Sequence, residues 1–213
     1  MSLRNVVLFD LDSVINKFHE RFYESFVNKF PYQEIIKPEQ QSSWYLEHSY
    51  PIDPKEIEPI WQKPGFFMGM EPQPHAVEVI SKLIEQNHVA VVTHVPRDDY
   101  FSQIKDEKIL WLRKVFGKNP PLLHAVQDKS DISGDVLVDD KPKKLILKNC
   151  GRKPDWVHIQ FIDEKNFLYN QQLLPKDRGD LVANWANMEL QIERALRLKK
   201  GNKLTENQRY PIL

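Results

Sequence analysis

The sequence predicts an α/β protein with three layers, a parallel doubly wound sheet and a small helical cap inserted after the first strand. Three observations carry this prediction. Short apolar runs rich in Val and Ile recur without alternation, as in strands covered on both faces. Helical periodicities separate the later runs, and the order strand, helix, strand, helix, strand requires parallel pairing. One long segment rich in Pro and aromatics breaks the alternation after the first strand, and a plain connection would be shorter.

Taken in order, the expected strands are Asn5–Asp10, His88–Thr93, Leu122–Val126, Asp135–Asp139 and Val157–Ile162. A helical stretch runs from Lys17 to Phe30, and six prolines follow between Pro31 and Pro64. Trp44, Tyr45, Tyr50, Trp61, Phe66 and Phe67 lie in the same segment. Ala76–Gln86 carries Val77, Ile80, Leu83 and Ile84 at helical spacing, and Ser102–Phe116 carries Ile109, Leu112, Val115 and Phe116. Gly179–Lys200 reads as a last helix, with Leu181, Trp185, Met188, Ile192 and Leu196 on one apolar face. The expected division is a core of residues 1–17 and 75–200, a cap of 18–74, and a loose tail of 201–213.

Composition narrows the function. The 213 residues hold 30 Lys+Arg and 30 Asp+Glu, a balance that argues against a generally basic nucleic-acid binder and against an acidic tail protein. A local phosphate site remains open. Hydrophobic residues make up 41%, enough for a packed core. The single Cys150 rules out an intrachain disulfide and a Cys-rich zinc site. No apolar run approaches the ~20 residues of a membrane helix, and the N-terminus enters a strand-like run at once, so a soluble, cytoplasmic protein is expected.

The chemistry concentrates at strand ends. Val7-Leu8-Phe9-Asp10-Leu11-Asp12 is an apolar strand ending in two carboxylates two positions apart. Side chains at i and i+2 of an extended chain point the same way, so both acids can face one crevice at the sheet's carboxyl edge. Two anions so close repel, and a divalent cation would offset the repulsion. Val136-Leu137-Val138-Asp139-Asp140 is a second strand with the same ending. Between them, the second strand ends at Thr93, followed by His94, and Lys129 follows the third. In a parallel sheet all four ends share one edge, which would gather a nucleophile, an acid/base, a hydroxyl, a cation and metal ligands.

The order DxD, Thr, Lys, DD resembles the four motifs of haloacid dehalogenase-like phosphohydrolases, whose core is a three-layer Rossmann-like sheet. FDLDSVINKF, WQKPGFF, EPQPHAVEVI, VVTHVP, EKILWLRKVFG, DKSDISGDVLVDDKP and LVANWANMELQI narrow the likeness to the 5'(3')-deoxyribonucleotidase family, over about Phe9 to Ile192. The resemblance implies that Asp10 attacks phosphorus and that Asp12 protonates the leaving oxygen, then activates water. It implies Mg2+ on Asp10, the backbone carbonyl of Asp12 and one of Asp140 and Asp139; the family pattern favours Asp140, and Asp139 would then orient water or Lys129. Thr93, Lys129 and Lys108 would hold phosphate, while Phe18, Trp44 and Trp61 would contact the nucleoside. The implied partner is a nucleoside monophosphate or another small phosphomonoester. No nucleic-acid polymer or membrane is implied, and a homodimer stays open.

Three positions depart from the family pattern. Ser13 stands for the usual Gly and brings the turn there into question. Asn16-Lys17 stands where an acidic residue is usual and puts a cation near the root of the cap. His94 replaces the usual Ser after Thr93, and its ring could donate to phosphate, narrow the pocket or point away. A catalytically weak phosphate-binding module is the reading from another class. Against it, receiver domains carry their phosphoacceptor on the third strand, and Leu122–Val126 contains no Asp.

Overall fold

The first strand lies at the centre of a six-stranded sheet with the order β3-β2-β1-β4-β5-β6. The computed structural model describes residues 4–34, 36–45, 50, 52–96, 99–148, 150–163, 167–174 and 177–210. The strands are β1 (Val6–Phe9), β2 (His88–His94), β3 (Leu122–Val126), β4 (Val136–Asp139), β5 (Val157–Phe161) and β6 (Leu181–Ala183), and every pairing is parallel. Phe9 is in register with Val91 on one side and Val138 on the other. Strand order reverses beside β1, where open α/β sheets form a crevice at their carboxyl ends. The apolar runs of the central strands β1 and β4 are continuous because these strands are buried on both faces, whereas β3 at the sheet edge is only partly buried. Val7, Phe9, Val91, Val136 and Val138 pack into one cluster, and Leu8, Val92 and Leu137 into another on the opposite face.

The helices are α1 (Phe18–Lys29), α2 (Pro54–Trp61), α3 (Ala76–Gln86), α4 (Phe101–Phe116), α5 (Lys143–Lys148), α6 (Phe167–Gln171), α7 (Met188–Lys199) and α8 (Glu206–Arg209). In the segment between β1 and α3 the regular elements among the described residues are helical, α1 and α2 with 3-10 turns at Pro38–Gln40 and Phe67–Gly69, joined by irregular chain. Its Phe22, Phe26, Tyr50, Ile57 and Ile60 are buried and continuous with the larger cluster of the sheet. A short antiparallel stem ties its two ends together. Lys17 N donates to Glu71 O at 2.9 Å, Gln73 N donates to Ile15 O at 2.7 Å, and Asn16 bridges Pro72. The Lys17 cation does lie at this root, paired with Glu71 at 3.0 Å. No helix among the described residues is long and apolar enough to cross a membrane.

Two expectations fail. Gly179–Lys200 is not one helix, because Leu181–Ala183 forms the edge strand β6 and α7 begins only at Met188. Asn184 and Asn187 separate the two: Asn187 Oδ1 accepts from Asn184 N and Asn184 Oδ1 accepts from Ala186 N, local bonds that replace helical ones. Gly179 admits the chain to the sheet edge, since a Cβ there would lie 2.7 Å from the backbone N of Gln160. The tail is not loose throughout either. Thr205 and Gln208 form a capping box that starts α8, and Tyr210 Oη donates to Gly179 O at 3.2 Å. Residues 211–213 lie outside the described residues.

Candidate active site

A cavity of 540 Å³ opens at the carboxyl ends of β1, β2, β3 and β4. All the residues singled out from the sequence line it: Asp10, Asp12, Thr93, His94, Lys108, Lys129, Asp139, Asp140, Phe18, Trp44 and Trp61. Parallel pairing explains this for Asp10, Asp12, Thr93, His94, Lys129, Asp139 and Asp140, because it delivers the chain to the same edge after each strand, whereas Lys108 comes from α4 and Phe18, Trp44 and Trp61 from the segment between β1 and α3.

Asp10 follows β1 directly, and its amide donates to Val138 O at 2.8 Å, which fixes it beside β4. Its Oδ1 accepts from Leu11 N at 2.8 Å and faces Lys129 Nζ at 2.9 Å. Its Oδ2 carries no hydrogen bond among the described residues. Lys129 sits in a 3-10 turn after β3 and also donates to Asp139 Oδ2 at 2.6 Å. Burial opposes the Lys129 ammonium, but Asp10 and Asp139 outweigh it and hold its pKa above the ordinary lysine value. Asp139 Oδ1 accepts from Lys141 N at 2.9 Å, so both oxygens of Asp139 are engaged. The Asp140 carboxylate carries no such bond among the described residues.

Carboxylate oxygens of Asp10, Asp139 and Asp140 lie within 4.8 Å of one another, and all three residues are buried. Burial raises the Asp10 pKa to about 7; Lys129 opposes this, and Asp139 and Asp12 add to it. The close ion pair with Lys129 favours the charged carboxyl, but burial and two neighbouring anions prevail. Burial, then Asp139 and Asp10, likewise push Asp140 well above the ordinary carboxylate range. One ammonium among three buried carboxylates leaves an excess of negative charge, so the donor set fits a divalent cation. The Asp12 carboxylate is not part of this cluster.

Asp12 belongs instead to α4. Lys108 Nζ reaches Asp12 Oδ2 at 2.6 Å, Thr93 Oγ1 at 2.8 Å and His94 O at 3.4 Å. Lys108 is 1% exposed, which excludes a solvated helix lysine. The motif around it is a strut: Glu107 accepts from Gly65 N at 2.7 Å and Phe67 N at 3.2 Å, and Trp111 Nε1 donates to Met70 O at 2.8 Å. The PGFF segment is therefore held by the helix that presents Lys108. Phe66 and Phe67 are buried, and Phe67 also lines the cavity with Lys108 Nζ 4.7 Å from its ring centroid.

The loop after Asp12 keeps a glycine-like backbone despite Ser13, whose φ is 65°. Asn16 Oδ1 accepts from Ser13 N at 3.1 Å, and Asn16 Nδ2 donates to Asp12 Oδ1 at 3.0 Å. His94 stands at the mouth, where burial and the cations Lys129, Lys108 and Lys141 lower its pKa. Trp44 faces Lys141, whose Nζ lies 4.6 Å from the ring centroid, and Phe18 packs on Phe22, Phe66 and Phe67. The sequence marks Asn16 only as a departure from the family pattern and gives no role to His19, Glu107 or Lys141. His19 lines the cavity, and burial, opposed by Asp12, lowers its pKa to about 4. Their roles depend on contacts with distant segments, apart from Asn16, whose i, i+4 spacing from Asp12 was a usable signal.

Residues 4–196 match the family model described as "5' nucleotidase, deoxy (Pyrimidine), cytosolic type C protein". The human "5'(3')-deoxyribonucleotidase, mitochondrial" is 28% identical over 189 residues, covering 85% of this chain and 78% of the relative. The mouse protein of the same name is 30% identical over 189 residues, covering 85% and 81%. A haloacid dehalogenase-like family hydrolase from Streptococcus pneumoniae shares the fold, with a TM-score of 0.54 at 12% identity over 91% of this chain and 100% of that one.

Proposed function

The chain belongs to the 5'(3')-deoxyribonucleotidase family of haloacid dehalogenase-like phosphatases, and on that premise we propose that it hydrolyses deoxyribonucleoside monophosphates with magnesium through an aspartyl-phosphate on Asp10. The observation that carries this reading is the convergence of Asp10, Asp12, Thr93, Lys108, Lys129 and Asp140 on one cavity.

In this mechanism Asp10 attacks phosphorus through Oδ2, while Leu11 N and Lys129 hold Oδ1. Asp12 protonates the departing sugar oxygen and then takes a proton from the water that opens the intermediate. Lys129, Lys108 and the Thr93 hydroxyl neutralise the phosphoryl oxygens; Thr93 Oγ1 accepts from Lys108, which leaves its own proton to donate to phosphate. Asp10, Asp140 and the Asp12 backbone carbonyl would hold magnesium, with Asp139 occupied in orienting Lys129. Bound there, the ion supplies charge neutralisation that lets the carboxylate and phosphate anions meet.

Residues 18–74 act as the cap over a core of 1–17 and 75–200. Phe18, Trp44 and Trp61 receive the nucleoside, and a base against an aromatic face gains about 1–3 kcal/mol. A cytoplasmic location belongs to the same proposal and is tested by cell fractionation.

A phosphate-release panel tests the reading, using deoxy- and ribonucleoside 5'- and 3'-monophosphates and sugar phosphates with magnesium, with calcium and with chelator. Deoxyribonucleotides should be hydrolysed fastest, chelator should silence release, magnesium should restore it, and calcium should substitute poorly. Faster release from sugar phosphates would change the substrate class, and full activity in chelator would remove the metal. Turnover in a clean Asp10→Asn preparation would remove the nucleophile.

A further inference from the structure

Asp12 has two donors on two different oxygens. The Lys108 ammonium meets Oδ2 at 2.6 Å and the Asn16 amide meets Oδ1 at 3.0 Å. One donor alone would leave rotation about the Cβ–Cγ bond open, because that torsion has broad wells in aspartate. Two donors from different directions fix the tilt of the carboxylate plane as well as its place. Asn16 is itself held firmly. It is 1% exposed, its amide N donates to Leu11 O at 3.1 Å, and its backbone bridges Pro72 in the stem. Its side-chain orientation follows from the network: Oδ1 faces the Ser13 N–H at 3.1 Å and Nδ2 faces a carboxylate, so a flipped amide would set donor against donor and oxygen against oxygen. The same amide therefore closes the left-handed turn at Ser13 and aims the acid before it.

We propose that Asn16 is a positioning residue that orients Asp12 as the proton donor to the leaving oxygen, an assignment that rests on the phosphatase reading above. Misplacing a proton donor slows a reaction most when the leaving group needs the proton most. Lys108 lacks this selectivity, since it also donates to Thr93 Oγ1, whose hydroxyl the proposed mechanism assigns to the phosphate. The consequence is a specific kinetic signature for a residue that does not itself line the cavity.

The test compares kcat/KM for phenyl phosphate and p-nitrophenyl phosphate in wild type, Asn16→Ala and Asn16→Asp. This parameter ends at departure of the leaving group, so hydrolysis of the intermediate does not mask the effect. Asn16→Ala should lose about ten-fold or more on phenyl phosphate and less than about three-fold on p-nitrophenyl phosphate, whose leaving group needs little protonation. Asn16→Asp keeps an acceptor for Ser13 N–H, and with it the turn, but sets a carboxylate against Asp12 Oδ1; it should show the same skewed loss and decides the matter if Asn16→Ala does not fold. Equal losses on both substrates, or none, with wild-type turnover intact would overturn the positioning role alone. Absence of turnover of every phosphomonoester by wild type would overturn the phosphatase reading and this assignment with it.

Discussion

His158 makes the fold sensitive to acid in a way that can be calculated and measured. It lies on β5, opposite Leu137 of β4, with 0% exposure and its ring 6.1 Å from that of Trp156. Neither ring nitrogen has a hydrogen-bond partner among the described residues. Burial drives its pKa down to about 4; Asp139 and Asp180 oppose this, and Lys143 and Lys129 add to it. In the unfolded chain the ring titrates near ~6.5. As pH falls below that value the unfolded chain takes up a proton that the folded protein refuses, so stability decreases until the folded ring titrates near 4. A gap of about 2.5 pKa units, at 1.36 kcal/mol each, gives a loss of about 3 kcal/mol. Against a typical total of about 5–15 kcal/mol this is large. The assay is urea unfolding between about pH 7 and pH 4 for wild type and His158→Leu. Other titrating groups act on both proteins, so the difference between the two stability curves isolates the imidazole. That difference should shift by about 3 kcal/mol in favour of the variant towards acid, and parallel curves would refute the reasoning.

Three further outcomes follow from the geometry. Lys108→Met strands Asp12 and Thr93; with Asp12 about a quarter exposed, the cost should be about 2 kcal/mol in chemical unfolding, and kcat/KM should fall at least ten-fold, whereas unchanged kinetics would remove Lys108 from the site. If protonated His94 donates to the phosphate, KM should rise with pH through a titration below the usual ~6.5, since burial and three lysines lower its pKa; His94→Ser should flatten that rise, and identical pH profiles would discount the contact. Gly179→Ala should destabilise by about 1–3 kcal/mol, because its Cβ meets backbone atoms at 2.7 Å that cannot swing aside; an unchanged Tm would show that the edge strand relaxes freely.

Signals confined to one short stretch were legible in the sequence. Leu122–Val126 and Ala76–Gln86 appear with the bounds that their patterns predict, and β1, β2, β4, β5, α1 and α4 differ only by terminal residues. β6 escaped because three residues are too few to set a period, and Leu181 and Trp185 happen to continue the spacing of α7. The helix α8 escaped although Thr205 and Gln208 carry the spacing of a capping box. Ser13 shows the converse case. Its side chain argues against a left-handed turn, yet the loop adopts one, because Asn16 binds its amide and the stem fixes Asn16.

By itself the sequence determined the parallel sheet and the strand ends that carry Asp10, Thr93, Lys129 and Asp139-Asp140. Buried strands need apolar runs, and parallel strands must deliver their ends to one edge. Only the tertiary structure decided how those groups divide. It set Lys129 between Asp10 and Asp139, left the Asp140 carboxylate without a hydrogen bond among the described residues, and gave Asp12 to Lys108 from 96 positions away. The physical reason is that a side chain's charge state and direction depend on what is packed against it. Burial and through-space charge act over a few ångströms, however many residues separate the partners along the chain.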